Sequence, residues 1–182
     1  MRLFYTASFY GKAKYQGYYD LVLKAIKSTG VELISPEFGN YLSLLKLEDY
    51  SKVKSKKKLH YEAIRRGIIW ADIVIMEISH EDFQLGHEAS LAIQYKKPVL
   101  CVSIHENKKQ KIKSPYFFGA KYNEYNIEEL IENFIARHQK EALKERFNLF
   151  LSTSQLHKLE TSAKRMGFNN SEYVRMLLDK NS

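Results

Sequence analysis

The segment that most constrains the fold is a short apolar run near the middle of the chain, Asp-Ile-Val-Ile-Met-Glu-Ile at residues 72–78. Apolar side chains occupy both sets of alternating positions in this run, and most of them are β-branched or large. A strand buries both of its faces only in a sheet that is covered on both sides, which is typical of parallel sheets. The run therefore predicts the central strand of an α/β domain.

Similar elements repeat along most of the chain. Apolar residues spaced three and four positions apart indicate helices, and short apolar runs indicate strands. Strands are predicted at 3–7, 31–35, 72–78 and 98–103, and helices in the stretch ending at Gly30, at 59–71, at 84–95 and from Ile127. This alternation predicts a Rossmann-like (flavodoxin-like) parallel sheet with helices on both faces and right-handed crossovers.

Ligands of such sheets bind outside the carboxyl ends of the strands. This rule points to Ser8, to residues 79–88 and to the loop after Ser103. Residues 37–58 mix Tyr, Leu and Lys without a clear period, and loops of this length in compact domains are usually functional. We predict that this segment is a lid.

The charge balance favours an anionic partner, since the net charge of the chain is +8. Lysines are concentrated in two runs, at 52–58 and 108–113, which are better explained as solvated loops than as phosphate sites. The single cysteine, Cys101, lies in an apolar run and is interpreted as a buried hydrophobic residue. We expect no disulfide within one chain, no metal and no cofactor.

Nothing in the sequence indicates a membrane location. The N-terminus begins directly with a strand pattern, and no apolar stretch approaches the ~18 residues needed to span a bilayer. We therefore expect a cytoplasmic protein that does not associate with membranes.

The C-terminal segment predicts a separate small module. A charged stretch at 137–145 is a candidate linker, which divides the chain into domains at 1–139 and 140–182. The module comprises a strand with Phe147, Leu149 and Leu151 on one face, a helix at 154–166 ended by Gly167, and a helix capped by Asn170 or Ser171 that runs through Leu178. A lone strand with two short helices buries little surface, so we expect the module to pair with a second copy.

Three stretches of the first domain carry a resemblance: Ala-Asp-Ile-Val-Ile-Met-Glu-Ile at 71–78, Leu-Gly-His-Glu at 85–88 and Lys-Pro-Val-Leu at 97–100. Together with residues 4–8 and 114–119, they resemble the nucleoside 2-deoxyribosyltransferase family, which includes the 2'-deoxynucleoside 5'-phosphate N-hydrolases. The resemblance covers most of the first domain.

The resemblance implies that Glu88 is the nucleophile that attacks C1' of the sugar. A covalent glycosyl-enzyme intermediate would then be resolved by water or by an incoming base. This chemistry is consistent, because N-glycosidic cleavage passes through an oxocarbenium-like state that a carboxylate captures. The alternative is a structural role, in which Glu88 lies in the first turn of a helix and is stabilised by the helix dipole.

Asp82 matches a position where the deoxyribosyltransferases carry an Asp near the sugar and the N-hydrolases carry a phosphate-binding Ser. An Asp would repel a 5'-phosphate and accept a hydrogen bond from a free 5'-hydroxyl. Ser8 and Ser114, in contrast, align with phosphate-contacting serines of the hydrolases, the second of which comes from a neighbouring subunit. The resemblance thus leaves both nucleosides and nucleoside monophosphates open as substrates, with Asp82 as a second catalytic candidate beside Glu88.

The sequence departs from the family on the helix before the third predicted strand. The family Asp that handles the proton of the leaving base falls on Ile64, or on Ala63 after a shift by one residue, and the nearest carboxylate is Glu62. The loss of a general acid costs roughly 10² to 10⁴ in rate. The strand-one Tyr of the family likewise falls on Phe4, with Tyr5 beside it.

Further candidates follow from the alignment and from the loops near the site. His87, between Gly86 and Glu88, is a candidate for assisting protonation, or else a packed or solvated helix residue. Trp70, Tyr10 and Tyr41 are candidates for stacking a base, or else core residues. The predicted substrate-binding residues are Phe4, Tyr5, Ser8, Gly11, Gly86, His87 and Ser114.

The tail resembles the ribbon-helix-helix family in the stretches 149–152, 167–168 and 171–175, with Leu156, Leu159 and Ala163 between them. The resemblance implies a dimer whose two-stranded ribbon lies in the DNA major groove, with Arg146, Asn148 and Phe150 facing the bases. Asn170 and Ser171 would contact the DNA backbone. Phe150 departs from the family pattern, because a phenyl ring cannot hydrogen-bond a base edge.

These observations support three hypotheses. The first is an oligomeric nucleoside or nucleotide N-glycosidase or deoxyribosyltransferase that uses Glu88. The second is a nucleotide-sensing regulator that binds DNA through its tail, and the third is a nucleotide-cleaving defence effector. The expected partners are a nucleoside or nucleotide, further copies of the chain and, for the regulator, DNA.

Overall fold

The computed structural model describes residues 1–52, 55–106, 112–141 and 149–180. The chain divides into two compact units, Met1–Lys144 and Glu145–Ser182. Each unit is described by itself.

The first unit is an α/β domain built on a parallel sheet. Among the described residues the sheet has five strands: β1 Arg2–Ala7, β2 Glu32–Ile34, β3 Ile73–Glu77, β4 Val99–Ser103 and β5 Phe117–Lys121. All neighbouring strands are parallel, and their order is β2-β1-β3-β4-β5. The predicted Rossmann-like sheet is confirmed, and the strand order is that of flavodoxin-like folds.

Seven α-helices are present in the described part of the chain. A short 3₁₀ helix spans Tyr41–Leu44. The α-helices are α1 Lys12–Ser28, α2 Leu47–Lys52, α3 Lys56–Trp70, α4 Phe83–Gln94, α5 Ile127–Glu141, α6 Thr153–Arg165 and α7 Asn170–Lys180.

The core consists of two apolar layers, one on each face of the sheet. Strand β3 is buried along its whole length, as the apolar run predicted. One layer packs the sheet against α1 and α5 through Tyr5, Val22, Ile26, Ile75, Ile127 and Ile131. The other packs it against α3 and α4 through Phe4, Ile64, Ile68, Val74, Ala89 and Ala92. The helices therefore cover both faces, which explains the apolar pattern of β3.

The strand register aligns the carboxyl ends of the central strands at one edge of the sheet. Ala7 at the end of β1 pairs with Glu77 at the end of β3, which pairs in turn with Val102 of β4. The chain leaves β1 toward β2 and leaves β3 toward β4, so the connections diverge between β1 and β3. Parallel sheets bind ligands at such a switch point.

The structure of the first unit differs from the prediction in three places. Strand β5 was not predicted, because the sequence Phe-Phe-Gly-Ala-Lys is short, contains a glycine and lacks the β-branched residues of the inner strands. The segment 37–58 is not a structureless loop, since it contains the 3₁₀ helix, α2 and the start of α3. The charged stretch from Arg137 likewise continues α5 as far as Glu141.

The described part of the second unit contains the two predicted helices. Helix α6 begins with a capping box in which Ser152 accepts a hydrogen bond from the Gln155 amide. Helix α7 is capped by Asn169, not by Asn170 or Ser171. The Asn169 side chain accepts from the Glu172 amide at 2.9 Å, and Glu172 accepts in return from the Asn169 amide at 2.9 Å. This reciprocal pair is the physical reason that the helix begins one or two residues earlier than predicted.

The predicted ribbon strand is only partly described. Residues 147 and 148 lie outside the described residues, and residues 149–152 belong to no strand. A ribbon strand needs a partner strand for its backbone hydrogen bonds.

Close packing between β1 and α3 requires Gly67. A β-carbon at this position would overlap the ring of Phe4, which is fully buried in the sheet. We expect Gly67→Ala to lower the free energy of unfolding by about 1–3 kcal/mol, through overpacking. Urea unfolding measures the change. Gly17→Ala in α1 is the matched control, because nothing lies within 4 Å of its β-carbon position; it should stabilise the protein by up to about 1 kcal/mol.

Candidate functional site

A cavity of about 270 Å³ lies at the carboxyl edge of the sheet, beside the switch point. Its walls come from the end of β1 and the loop after it, the loop after β2, the 3₁₀ helix, α3 and the start of α4. The lining residues are Thr6, Ala7, Ser8, Phe9, Lys12, Pro36, Glu37, Tyr41, His60, Ile64, Asp82, Gln84 and Leu85. The predicted location of the site at this edge agrees with the position of the cavity.

The Glu88 carboxyl lies directly behind two residues of the cavity wall. The Gln84 amide, one turn earlier on α4, donates to Glu88 Oε1 at 2.7 Å, and the Thr6 hydroxyl is also close to this carboxyl. The residue is only 2% exposed, and its second oxygen, Oε2, has no hydrogen-bond partner among the described residues. A buried carboxylate oxygen without a partner is costly and calls for an explanation.

The position of Glu88 on α4 excludes the simple structural explanation. Helix α4 begins at Phe83, so Glu88 lies in the second turn, and the first turn carries no acidic residue. The stabilising effect of the helix dipole falls off within the first turn. The alternative of a dipole-stabilised first-turn glutamate is therefore wrong.

Burial strongly perturbs the acidity of Glu88. Loss of solvation raises its pKa to about 7, an effect that the negative charge of Asp82 reinforces, although the hydrogen bonds from Gln84 and Thr6 oppose it. A carboxyl that titrates near neutral pH beside a cavity is typical of functional sites.

Asp82 forms the N-cap of α4 and is tied to Ser8. Its Oδ1 accepts from the Leu85 amide at 2.8 Å, and its Oδ2 accepts a short hydrogen bond from the Ser8 hydroxyl. The structure thus brings these two predicted residues together in the cavity wall. One carboxylate oxygen of Asp82 therefore caps the helix, and the other accepts the hydroxyl proton of Ser8.

The opposite wall carries an ion pair. Lys12 Nζ lies 2.9 Å from Glu37 Oε1, and the Glu37 side chain is only 4% exposed. With Asp82 and Glu88 nearby, carboxylates outnumber the ammonium group around the cavity. The electrostatic environment therefore disfavours a phosphate more than a neutral ligand.

On the α3 wall, the apolar side chain of Ile64 lines the cavity. One turn earlier, His60 also lines it. Its Nδ1 lies 3.0 Å from the Tyr41 hydroxyl, and its Nε2 lies 3.4 Å from the Gln84 amide nitrogen. The sequence analysis did not single out His60 or Gln84, although the four-residue spacing between His60 and Ile64 would have indicated a shared helix face.

Several predicted substrate-binding residues do not line the cavity. Phe4 and Tyr5 are fully buried on opposite faces of the sheet, and the Tyr5 hydroxyl donates to the Tyr19 carbonyl oxygen at 3.0 Å. Gly11 is buried against the Tyr19 hydroxyl and His80, where a β-carbon would clash. Here tight packing requires the glycine.

Three more predicted residues lie on other surfaces. Gly86 and His87 are on the exposed side of α4, where His87 Nε2 lies 3.1 Å from the Tyr61 hydroxyl. Ser114 precedes β5, at the amino edge of the sheet, and its hydroxyl accepts from the Tyr116 amide. Within one copy of the chain Ser114 is therefore at the edge opposite the cavity.

Of the predicted DNA-contacting residues, Arg146 and Asn148 lie outside the described residues. Asn170 and Ser171 are the first two residues of α7.

Comparison with known proteins adds no assignment. No protein-family model matches the chain, and no curated protein matches its sequence. Within the described residues, no group of three or more His, Cys, Asp or Glu side chains is arranged to hold a metal ion. No helix in that part of the chain is both long and apolar enough to cross a membrane.

The raised pKa of Glu88 predicts a characteristic dependence of stability on pH. The group titrates at about 4.5 in the unfolded chain and at about 7 in the folded protein, so the folded state binds more protons between these values. The free energy of unfolding therefore falls as pH rises from 4.5 to 7. Glu88→Gln removes this loss, and we expect the variant to be up to about 3 kcal/mol more stable than the wild type at pH 8.

Chemical denaturation at pH 4 and pH 8 measures this difference. Glu62→Gln is the control, because hydrogen bonds from Arg65 and Arg66 lower the pKa of Glu62, and its loss should destabilise the protein at pH 8. Equal stability of Glu88→Gln and wild type at both pH values would contradict the raised pKa.

Proposed function

We propose that the first unit cleaves the N-glycosidic bond of a nucleoside or nucleotide, or transfers its deoxyribosyl group, with Glu88 as the nucleophile. The observation that carries this proposal is the Glu88 carboxyl itself. It is buried beside a cavity at the switch point of the sheet and has one oxygen without a partner. A carboxylate kept in this state destabilises the fold, which is typical of a group retained for chemistry.

The reaction places the sugar against the cavity wall formed by Thr6 and Gln84. Rotation of the exposed Gln84 side chain uncovers Glu88, whose ionised carboxylate attacks C1' as the bond to the base breaks. Water or a second base then releases the sugar from the ester, and the carboxylate is regenerated. The resemblance of residues 71–78 and 85–88 to the nucleoside 2-deoxyribosyltransferase family supports the same role for Glu88.

The polar groups of the cavity favour a nucleoside over its monophosphate. Ser8 already donates to Asp82, and Glu37 adds a second carboxylate, which is paired with Lys12 and accepts a hydrogen bond from the Gln16 amide. A 5'-phosphate brought to Ser8 would lie near the Asp82 carboxylate and be repelled. A free 5'-hydroxyl is able to donate to the same oxygen.

Release of free base tests this function. Purified protein is incubated with 2'-deoxynucleosides, ribonucleosides, their monophosphates and NAD, and free base is measured by chromatography. We expect release from 2'-deoxynucleosides, and a loss of at least roughly 10³-fold in Glu88→Gln, because the nucleophile is absent.

The matched control is Glu128→Gln, an exposed glutamate on α5, which should retain wild-type activity. No base release from any substrate by the wild type would refute the proposed function. Release that is unchanged in Glu88→Gln would refute the role of Glu88.

We also propose that the second unit joins copies of the chain. Among its described side chains only Ala163 is buried. Leu149 is 59% exposed, and Leu151 and Leu156 are exposed as well. A unit of this size with almost no buried core is not stable alone. Pairing of two copies through the Leu149–Leu151 face would bury these side chains.

A second candidate function is a nucleotide-responsive DNA-binding regulator. The observation that favours it is the start of α7 at Asn170 and Ser171, because the backbone amides of a first helical turn lack partners within the helix and attract phosphate. The net charge of +8 acts in the same direction.

Substitutions in the segment 149–151 test both roles of the second unit. Leu149→Asp/Leu151→Asp should convert an oligomer into monomers in sedimentation velocity, because charges would be buried between the copies. The same double variant should lose DNA affinity, which in the wild type should fall steeply between about 50 mM and about 200 mM salt.

Phe150→Ser is the control for assembly, since Phe150 is 98% exposed and alternates with the two leucines. It should leave the oligomer intact. A monomeric wild type would refute the pairing proposal. DNA affinity that is absent or independent of salt would refute the DNA-binding regulator function.

A further inference from the structure

Cleavage of an ordinary nucleoside leaves an open question about the proton. The base departs with the electron pair of the glycosidic bond, and unless it is protonated it is a poor leaving group. The wall position where a carboxylate was expected carries Ile64. The proton must therefore come from another group at the cavity.

The titratable side chains among the described lining residues are Lys12, Glu37, Tyr41, His60 and Asp82. Asp82 accepts hydrogen bonds on both oxygens, from the Ser8 hydroxyl and from the Leu85 amide, and is engaged as the N-cap of α4. Lys12 and Glu37 are bound to each other at 2.9 Å. Burial raises the pKa of the Tyr41 phenol, so it holds its proton more tightly. Only His60 is left with a nitrogen that is able to give up a proton near neutral pH.

We propose that His60 is the general acid of this site and protonates the departing base while Glu88 attacks the sugar. The inference rests on the proposed function. Its basis is geometric: His60 lies four residues before Ile64 on α3, so the two side chains share one helix face, and both line the cavity.

A single amide nitrogen connects the two reacting groups. Gln84 Nε2 lies 2.7 Å from Glu88 Oε1 and 3.4 Å from His60 Nε2. In glycosidases that form a covalent intermediate, the nucleophile and the acid lie ~5–5.5 Å apart on either side of the scissile bond. A spacing bridged by one nitrogen is of this order. In the proposed complex the exposed side chain of Gln84 swings away. The glycosidic nitrogen of the substrate then takes the place of the Gln84 amide nitrogen between His60 and Glu88.

Tyr41 positions the imidazole. Its hydroxyl oxygen lies 3.0 Å from His60 Nδ1, and the two rings meet edge to face at 5.3 Å. In the imidazolium form Nδ1–H donates to the Tyr41 oxygen, and Nε2–H points to the base. Tyr41 thereby selects the nitrogen that transfers the proton.

The step balances in charge and atoms. The Glu88 carboxylate forms a bond to C1', the bond from C1' to the base nitrogen breaks, and its electron pair takes the proton of His60 Nε2. The products are a neutral base, a glycosyl ester and a neutral imidazole. In the second half, the imidazole accepts a proton from the water that attacks C1', and the ester oxygen leaves as the Glu88 carboxylate.

The reaction needs ionised Glu88 together with protonated His60. Burial raises the pKa of Glu88 to about 7 and lowers the pKa of His60. Raising the pH ionises Glu88 but deprotonates His60, and lowering the pH does the reverse. The profile of kcat/KM is therefore a narrow bell. The other charged groups of the same cavity are Lys12 from α1, Glu37 from the loop after β2 and Asp82 at the start of α4. Lys56 lies one turn before His60 on α3, and Tyr41 remains a neutral phenol.

The experiment compares two substrates in the full-length protein. One is an ordinary 2'-deoxynucleoside, and the other is a 7-methylated purine 2'-deoxynucleoside, whose cationic base leaves without protonation. His60→Ala and His60→Asn should lose roughly 10²–10⁴ in kcat on the first substrate and less than about tenfold on the second. In both variants the alkaline limb of the pH profile should disappear, leaving only the rise through the pKa of Glu88.

Turnover of the methylated substrate also shows that the variants are folded. His157→Ala, an exposed histidine on α6, is the matched control and should behave as wild type. Equal losses on both substrates, or an unchanged pH profile, would overturn the role of His60 while the proposed function stands. No base release from either substrate by the wild type would overturn the proposed function, and the role of His60 with it.

Discussion

The fold depends on the burial of β3 on both of its faces. Each face of this strand needs a helical cover, which α1 and α5 provide on one side and α3 and α4 on the other. The strand order β2-β1-β3-β4-β5 makes the connections diverge between β1 and β3. The cavity at the carboxyl edge is thus a consequence of how the central strand is covered, and α4 enters it because it follows β3 directly.

The candidate site carries a cost to stability that the rest of the domain offsets. Glu88 is buried, and its Oε2 has no hydrogen-bond partner in the described part of the chain, so its ionised form is costly there. A second buried carboxylate, Glu77, accepts hydrogen bonds from the Ser79 amide and from the Tyr122 hydroxyl within the core. The two buried carboxylates therefore differ in how far hydrogen bonds from the described residues satisfy them.

The two units differ in how completely they bury their apolar residues. The first has two core layers and needs no partner to cover its sheet, whereas the second buries a single alanine among its described side chains. Local hydrogen bonds, such as the capping boxes of α6 and α7, define the helices of the second unit. Such caps set where helices begin, but they do not supply the free energy of a packed core.

The amino-acid sequence by itself determined the elements whose signals are local. The burial of β3, the helices α3 and α4, and the position of the cavity at the carboxyl edge all follow from side-chain spacing and a general rule of parallel sheets. Weak local signals failed, as in β5, where pairing with β4 along its whole length compensates for a poor strand sequence.

Only the tertiary structure decided which side chains meet at the cavity. It separated Phe4 and Tyr5 onto opposite faces of the sheet, because neighbouring strand residues alternate. It also joined His60 of α3 to Gln84 of α4, which bonds Glu88 one turn later on the same helix. No sequence spacing connects His60 with these two residues. Spacing along the chain specifies the face of a helix, but the helix packing of α3 against α4 determines what that face contacts, and that depends on the whole core.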